Sequence, residues 1–320
     1  MNDLLSDNNS EKYRLVTRSD FDGLVCAILL KELDMINNIT FVHPKDVQDG
    51  KIELSERDIL TNLPYSNKAL LVFDHHASEA LRMGCHDKEN WVIDVNAPSA
   101  SRVVYESFGG KERFSNISDE IMQAVDKADS AQFTIDDVLH PTGWVLLSFI
   151  MDARTGLGRF RDFRISNQQL MSDLIGHCKN YSIEEIMENP DVKERVNLYN
   201  EQQPLFVKQL RKCTKMYDKV GVVELRTEDV IYCGNRFMVY ALFPEMRVSM
   251  HVMWGKKKQN VVLACGKSIF NKDSKNLNIG EIMLKYGGGG HRNAGTCQID
   301  IEKSDIAKDE IIKLFNQRMA

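Results

Sequence analysis

The sequence lacks paired cysteines and long apolar runs, and each absence excludes a class of protein. Its seven cysteines occur singly, without a Cys-x-x-Cys pair, which argues against a disulfide framework and a thiolate zinc site and favours a reducing compartment. The longest uncharged stretch, residues 138–151, has 14 residues and contains His140 and Pro141, whereas a membrane-spanning helix needs about 20 apolar residues. The opening residues lack the basic region and apolar core of a signal peptide. We therefore expect a cytoplasmic protein that does not enter a membrane.

The composition is that of a folded chain with more than one domain. The chain has 320 residues, of which 43% are hydrophobic and 27% charged, and domains usually hold about 100–200 residues. Residues 1–215 carry 25 Lys+Arg against 34 Asp+Glu, whereas residues 216–320 carry 16 against 12. This split is typical of an acidic metal-binding part beside a basic phosphate-binding part, although chance placement of surface lysines explains it equally well.

The order of hydrophobic patterns predicts an α/β protein. Strand-like runs at residues 13–17, 41–42, 69–73 and 91–93 alternate with helical patterns at 23–33 and 99–108, which predicts a parallel sheet covered on both faces. Ligands of such sheets bind beyond the carboxyl ends of the strands. After residue 216 the pattern changes to short strand-like runs at 220–225, 230–232, 237–240, 248–253 and 261–264, with helices at 279–285 and 305–315. We predict a first domain over residues 1–190, a helical connector over 191–215 and a smaller mixed domain over 216–320.

Two groups of polar residues directly follow predicted strands. Asp20 and Asp22 stand between a strand and a helix, where the helix N-terminus favours negative charge. The alternative is a helix cap with a neighbouring turn aspartate. Asp74-His75-His76 follows an apolar strand, and a carboxylate with imidazoles suits manganese or a similar divalent ion. A helix cap with two surface histidines is the alternative for this group.

Two further segments have a possible ligand-binding chemistry. Asp126 and Asp129 form a third acidic cluster, which we place with the strand ends, and an exposed helix end is the alternative for them. Four glycines at 287–290 precede His291 and Arg292. Such a run allows close approach of the backbone to an anion, whose oxygens the N–H groups and the two side chains would bind. A flexible loop is the alternative here.

Together these segments resemble the DHH phosphoesterase superfamily, which is named for a motif of the Asp74-His75-His76 type, and the glycine run resembles the signature of the DHH-associated C-terminal domain. The resemblance extends over nearly the whole chain and is to the exopolyphosphatase-like and oligoribonuclease-like branch. It implies an N-terminal parallel-sheet DHH domain and a smaller mixed α/β domain with an active-site cleft between them. Members hydrolyse short oligonucleotides, cyclic dinucleotide products, 3′-phosphoadenosine phosphate, single-stranded DNA, pyrophosphate or polyphosphate, typically with two manganese ions.

The resemblance also implies roles for individual residues. The implied metal ligands are Asp20, Asp22, His75 and Asp129. His76 would contact the scissile phosphate, with Asp74 supporting the site. The implied substrate-binding residues are Gly289, Gly290, His291, Arg292, Lys267 and Ser268.

Two positions depart from the superfamily pattern. Members usually have a histidine just before the first aspartate pair, whereas residues 15–19 contain none and place Arg18 there. Members also have a metal-bridging aspartate on an intermediate strand, for which the best match here is Asn62, with Asp58 or Asp74 as alternative ligands. A neutral amide cannot bridge two cations as a carboxylate does. One metal position therefore looks complete, and the other keeps mainly Asp20.

Two basic segments have simple interpretations. Lys256-Lys257-Lys258 is typical of a solvated hairpin turn rather than a nucleic-acid contact. The loop at residues 154–161 contains three arginines and two glycines, and is interpreted as a basic loop, with a substrate-binding role as the alternative.

We therefore predict a hydrolase: a divalent-metal-dependent phosphoesterase, with one or two Mn²⁺ or Mg²⁺ ions, that acts on a short oligonucleotide, a nucleotide or polyphosphate. A phosphate-binding or nucleotide-binding protein with a degenerate metal site and no hydrolysis is the alternative, motivated by Arg18 and Asn62. The sequence leaves a homodimer open.

Overall fold

A sheet of five parallel strands organises the first part of the chain. The structure is a computed structural model that describes residues 12–84, 88–271, 274 and 276–319. The strand order is β2-β1-β3-β4-β5, and each neighbouring pair is parallel, so the predicted α/β fold is confirmed. Numbered along the chain, the strands are β1 (Tyr13–Arg18), β2 (Ile36–Val42), β3 (Asp58–Thr61), β4 (Leu71–Asp74) and β5 (Trp91–Ile93).

Helices connect these strands and continue after the sheet. They are α1 (Phe21–Glu32), α2 (Pro44–Gln48), α3 (Ala77–Met83), α4 (Ala100–Ser107), α5 (Gly110–Arg113), α6 (Asp119–Asp129), α7 (Ile135–Leu139), α8 (Gly143–Met151), α9 (Asn167–Asn180), α10 (Ile183–Glu188) and α11 (Pro190–Cys213). Short 3₁₀ turns follow α8 at Ala153–Thr155 and Leu157–Arg159. Pro190 begins α11, a position where its fixed φ and missing N–H fit a helix.

Helix α1 forms the centre of the first hydrophobic core. Every residue from Phe21 to Leu30 is buried, as expected of a helix that is apolar on all sides. It packs against α4, α6 and α9. Gly23 fits the tight entry into this helix, because a Cβ there would lie 2.0 Å from the carbonyl oxygen of Arg18. The end of β1 and the start of α1 are thus held in close contact.

The second part of the chain forms a six-stranded mixed sheet. Its order is β10-β11-β9-β8-β7-β6, with only the β7–β8 pair parallel among the described strands. The strands are β6 (Thr214–Tyr217), β7 (Val220–Glu224), β8 (Val248–Trp254), β9 (Val261–Lys267), β10 (Gly289–His291) and β11 (Ala294–Ile299). The remaining helices are α12 (Met238–Leu242), α13 (Ile279–Lys285) and α14 (Ser304–Met319), with 3₁₀ turns at Lys256–Lys258 and Ile301–Lys303.

Two predictions for this second part were wrong. The apolar run at 237–240 was predicted as a strand but lies mostly in α12, and the run at 230–232 has no regular structure. Periodicity does not distinguish a short buried strand from a short buried helix, and Asn235, which accepts a hydrogen bond from Phe237 N at 3.2 Å, starts the turn into α12. The glycine run, for which a flexible loop was the alternative interpretation, contributes β10 of a hairpin with β11.

The chain divides into two compact units. One runs to Gln132 and includes Pro141–Asn197, and the other comprises Phe133–His140 and the chain from Leu198 onward. Among the described residues, no helix has both the length and the apolar composition needed to cross a bilayer. The opening residues, from which the absence of a signal peptide was predicted, lie outside the described residues.

Candidate metal centre

The candidate site lies at the carboxyl end of the parallel sheet. Strand β1 ends at Arg18 and is followed by Asp20, β3 is followed by Asn62, and β4 ends in Asp74. Because β1, β3 and β4 are neighbours and parallel, these residues share one edge of the sheet, where ligands of open α/β sheets bind.

Asp22 lies buried in the first turn of α1 and faces the N-terminus of α4. Its Oδ2 accepts a hydrogen bond from Ala100 N at 3.0 Å, and its Oδ1 accepts from Ser101 N at 2.8 Å and Ser101 Oγ at 2.6 Å. Burial raises the pKa of Asp22 to about 7, and the negative charge of Asp129 contributes to this rise. The ionised form of such a buried carboxylate is unfavourable by itself, and a nearby cation stabilises it.

His75 has a defined tautomer. Its Nδ1 lies 3.2 Å from the carbonyl oxygen of Ala97, and a carbonyl only accepts, so Nδ1 carries the proton. Its Nε2 lies 2.9 Å from Asp129 Oδ2 but outside hydrogen-bond geometry. Burial lowers the pKa of His75, but the carboxylates of Asp129, Asp22 and Asp74 outweigh it and raise this pKa to about 9. His75 thus presents Nε2 to carboxylate oxygens, an arrangement that needs a proton or a metal ion between them.

Asp22, His75 and Asp129 form the ligand group. One donor atom from each residue can be chosen so that all lie within 4.8 Å of one another. Two carboxylates and one imidazole are donors that suit Mn²⁺ and related divalent ions. The hydrogen bond from His75 Nδ1 to a carbonyl is the support that metal-bound histidines usually have. The donor set therefore fits a divalent ion, although the identity of that ion does not follow from it.

Buried polar atoms without a hydrogen-bond partner support this fit. They include Asn62 Oδ1, Asp74 Oδ2 and His75 Nε2, all at the same edge of the sheet. Buried polar atoms are nearly always bonded to protein, water or an ion. Their concentration here is what a centre for an ion and its water molecules requires.

His76 is paired with Asp74. Its Nδ1 lies 2.7 Å from Asp74 Oδ1, and Asp74 is fully buried at the end of β4. Burial lowers the pKa of His76, but the hydrogen bond and charge of Asp74 raise it above its usual value. The two histidine rings meet edge to face with centroids 4.5 Å apart. His76 is thus held in place next to the ligand group, and its surroundings favour the protonated form of its ring.

Asp20 has three partners from the protein. As the N-cap of α1 it accepts from Gly23 N at 3.0 Å, and the same oxygen accepts from Asn62 Nδ2 at 3.2 Å. Its other oxygen lies 2.9 Å from Arg18 Nε. Asp20 is not a member of the ligand group found among the described residues. The other predicted aspartates are Asp126 and Asp129. Asp126 binds α4 through Ser99 Oγ at 2.7 Å and Arg102 Nε at 3.0 Å, so of these two only Asp129 belongs to the ligand group.

The predicted phosphate-binding residues lie in the second unit. Lys267 Nζ donates to Ser274 O at 3.0 Å and to Leu277 O. Burial, followed by the charge of Arg292, lowers the pKa of Lys267, so these two cations lie close enough to repel. Ser268 Oγ accepts from Phe270 N and Asn271 N, each at 3.2 Å. The Lys267 and Ser268 side chains therefore brace the backbone of this region.

The glycine hairpin has a mixed character. A Cβ at Gly288 would lie 2.2 Å from Thr296 O, and Gly290 has φ +149 and similar crowding from Ala294 O at 2.3 Å. At Gly289 a Cβ would meet no protein atom within 4 Å. Gly288 and Gly290 are thus required by the hairpin itself, whereas Gly289 faces open space, as do the exposed His291 and Arg292.

Comparison with solved structures identifies the family. A structure described as the pGpG-specific phosphodiesterase PggH from Vibrio cholerae is 56% identical, with 96% of this chain and 100% of that chain covered and a TM-score of 0.81. The chain belongs to the DHH phosphoesterase superfamily. Its membership confirms the recognition from the DHH motif and the predicted class of activity, a phosphoesterase.

More distant relatives share the fold of this DHH protein. RecJ from Thermus thermophilus in complex with Mn²⁺ is 16% identical with a TM-score of 0.53, covering 95% of this chain and 52% of that one. Its complex with Mg²⁺ is 15% identical with a TM-score of 0.50. No protein-family model matches the sequence. The comparison with curated proteins also finds no match.

Some supporting residues of this DHH site were missed by sequence reasoning. The Ala97 carbonyl, which sets the His75 tautomer, gives no signal because any residue type supplies a carbonyl. Burial raises the pKa of Asp20, and the charges of Arg18 and, more weakly, Arg154 oppose this rise. Arg154 was predicted to lie in a basic loop, with substrate binding as the alternative. Its proximity to Asp20 depends on how that loop folds back, which the sequence pattern does not indicate.

Proposed function

We propose that this protein hydrolyses a linear dinucleotide of the pGpG type to two nucleoside 5′-monophosphates at a metal centre formed by Asp22, His75 and Asp129. The observation that carries the proposal is the convergence of these three ligands in a chain 56% identical, over nearly its whole length, to a pGpG-specific phosphodiesterase. The ion proposed is one Mn²⁺ per chain, because an imidazole among the ligands suits manganese better than magnesium.

A divalent ion bound there would polarise the phosphoryl group and lower the pKa of an attacking water. The protein's own residues fix the ligands in place. The N-terminus of α4 orients the Asp22 carboxylate through Ala100 and Ser101, and Ala97 keeps the His75 Nδ1 proton away from the centre. Because these partners are present before the ion arrives, little reorganisation accompanies its binding.

His76 is proposed to act on the phosphate itself. Its Nδ1 is held by Asp74, which leaves Nε2–H to donate a hydrogen bond to a phosphoryl oxygen or to protonate the departing 3′ oxygen. In this reaction the water oxygen bonds to phosphorus, the P–O3′ bond breaks, and the 3′ oxygen leaves with a proton. Both products then carry a 5′-phosphate.

The second unit is proposed to bind phosphate. Arg292, His291 and the open position Gly289 are exposed, and Lys267 adds positive charge beside Arg292. We propose the domain division at residues 190 and 216 on the same basis. The first part would bind the metal ion, and the second part would bind phosphate. Five cysteines in the described part of the chain are free thiols, which supports a cytoplasmic location: Cys26, Cys178, Cys213, Cys265 and Cys297.

A substrate panel tests this function. Purified protein is incubated with Mn²⁺, with Mg²⁺ or with chelator, and with pGpG, a longer oligonucleotide, cyclic di-GMP, 3′-phosphoadenosine phosphate or polyphosphate. We expect Mn²⁺-dependent conversion of pGpG to GMP alone, and much slower turnover of the other compounds. Release of guanosine together with the doubly phosphorylated nucleoside would refute the proposed bond cleavage. Binding of pGpG without turnover under any metal condition would refute the activity itself.

A further inference from the structure

Arg18 is fixed beside the metal centre by a carboxylate that makes no contribution to the ligand group. Its Nε lies 2.9 Å from Asp20 Oδ2, and 29% of its side chain is exposed. Asp20 is itself held by Gly23 N and Asn62 Nδ2 through its other oxygen. The guanidinium therefore has a defined position, with its Nε engaged by the protein. An arginine held through Nε can offer its two terminal nitrogens to an anion.

Arg154 approaches the same carboxylates from another element. It follows α8, and its Nε lies 2.7 Å from Asp152 Oδ1 and 3.0 Å from Asp152 Oδ2. Its side chain is 43% exposed, so a ligand can reach it. Burial lowers the pKa of Arg154, but the carboxylate of Asp152 and, more weakly, those of Asp20 and Asp129 raise it above its usual value. Arg154 thus lies within Coulombic reach of the metal centre while its Nε is held in place.

The loop that carries Arg154 is fixed on both sides of it. Thr155 is buried and its Oγ1 donates to Phe149 O at 2.6 Å. Gly156 has φ +93, a left-handed conformation that a residue with a Cβ rarely adopts. Further along, the buried Arg195 donates to Ile165 O at 2.6 Å and so ties the end of the loop to α11. A surface loop braced in this way holds its side chains in a reproducible position.

The charge of the site explains what two arginines would do there. The carboxylates of Asp20, Asp22 and Asp129 outnumber the charges of one divalent ion by one, so that the centre alone would repel a phosphodiester. Arg18 and Arg154, counted together with the Asp152 carboxylate that pairs with Arg154, cancel this excess of negative charge. A site in which cations face the place where negative charge develops stabilises the transition state of phosphoryl transfer.

We infer that Arg18 and Arg154 are a phosphate-binding pair that contacts the non-bridging oxygens of the phosphate under attack. This inference rests on the proposed function for the identity of the substrate. Asp20 then acts as the anchor of Arg18, and Asn62 as the second anchor of Asp20. The pair supplies the positive charge that a second ion would otherwise provide.

The test compares anion binding with metal binding in the same variants. Arg18→Ala and Arg154→Ala, with Arg18→Lys and Arg154→Lys, are titrated by calorimetry with Mn²⁺ alone and then, loaded with Mn²⁺, with inorganic phosphate. We expect each alanine variant to bind phosphate about 10-fold to 100-fold more weakly, as for a lost charge-assisted hydrogen bond. The affinity for Mn²⁺ should be unchanged or higher, since a neighbouring positive charge is removed. The lysine variants should recover part of the phosphate affinity.

Arg161→Ala is the matched control, because Arg161 is an exposed arginine of the same loop, and its phosphate affinity should equal that of the wild type. The KM for pGpG should rise in Arg18→Ala and Arg154→Ala but not in Arg161→Ala. Wild-type phosphate affinity in both alanine variants, or a loss of Mn²⁺ affinity in either, would overturn the inference. Failure of the wild type to cleave pGpG would instead count against the proposed function, because the phosphate titration does not depend on turnover.

Discussion

His75 has both ring nitrogens assigned by its neighbours, which makes it the most informative residue to change. Replacing it by alanine removes one of three ligands and should weaken Mn²⁺ binding at least about 100-fold, because even losing a partner that supports a ligand costs 10–100-fold. His140→Ala is the control, since that ring is exposed and pairs with Asp136. Calorimetry with Mn²⁺ measures the effect. Equal Mn²⁺ affinity in His75→Ala and wild type would remove His75 from the centre.

The same residue predicts a pH dependence. Without metal, His75 with a pKa of about 9 is protonated at neutral pH, and Asp22 with a pKa of about 7 is half protonated there. An ion must displace these protons, so apparent Mn²⁺ affinity should rise with pH, about tenfold per unit between pH 7 and 9 and more steeply below pH 7. Calorimetry in buffers of different ionisation enthalpy should detect about one proton released per ion at pH 8. Affinity that is constant between pH 6 and 9 would contradict these pKa values.

At this scale the sequence predicts the ligands better than their supports. Asp22 and His75 follow strands of one sheet, and the rule that parallel strands end at the same edge brings them together. Asp129 was placed by family resemblance, because a helix end gives no such geometric rule. Ala97 and Arg154 could not be predicted, since their roles depend on a backbone carbonyl and on a loop without periodicity.

Among the elements, the length and the boundaries of the apolar pattern decide which ones are predictable from the sequence. Strand β1 and helix α1 were predicted nearly to their ends because their apolar pattern is long and bounded by Asp20. The run at 237–240 was assigned to the wrong type because it is short and buried in either conformation. The β10–β11 hairpin was missed because glycines have weak strand propensity, although the lack of a Cβ is what allows the close approach of Gly288 to the carbonyl oxygen of Thr296.

The glycine hairpin provides a matched pair of substitutions. Gly288→Ala forces a Cβ to within 2.2 Å of Thr296 O and should lower the melting temperature by several degrees, as for about 1–3 kcal/mol of strain. Gly289→Ala meets no protein atom within 4 Å and should leave stability unchanged while it raises the KM for pGpG. Thermal unfolding and steady-state kinetics of both variants separate the two effects. An unchanged KM in Gly289→Ala would show that no substrate approaches this strand.

At the scale of the whole molecule, the sequence motifs indicated the family, which composition and hydrophobic pattern alone would not have done. The net charge of −5 gives no long-range attraction for a polyanion, which favours a short substrate gripped by a few fixed cations over a long polyphosphate. The unit division was harder to predict, because Phe133–His140 belongs with the second unit although it precedes three helices and the start of α11, which belong to the first. Packing between distant segments determines this division, and local patterns do not encode it.

The central claim is that one divalent ion, held by Asp22, His75 and Asp129, serves this phosphoesterase. Anomalous scattering from a crystal of the full chain grown with Mn²⁺ tests it most directly. The account predicts a single strong peak, bonded to oxygens of Asp22 and Asp129 and to His75 Nε2, with the Arg18–Asp20 pair intact beside it. Two peaks bridged by a carboxylate, or a peak bound to Asp20 with Arg18 displaced, would contradict it.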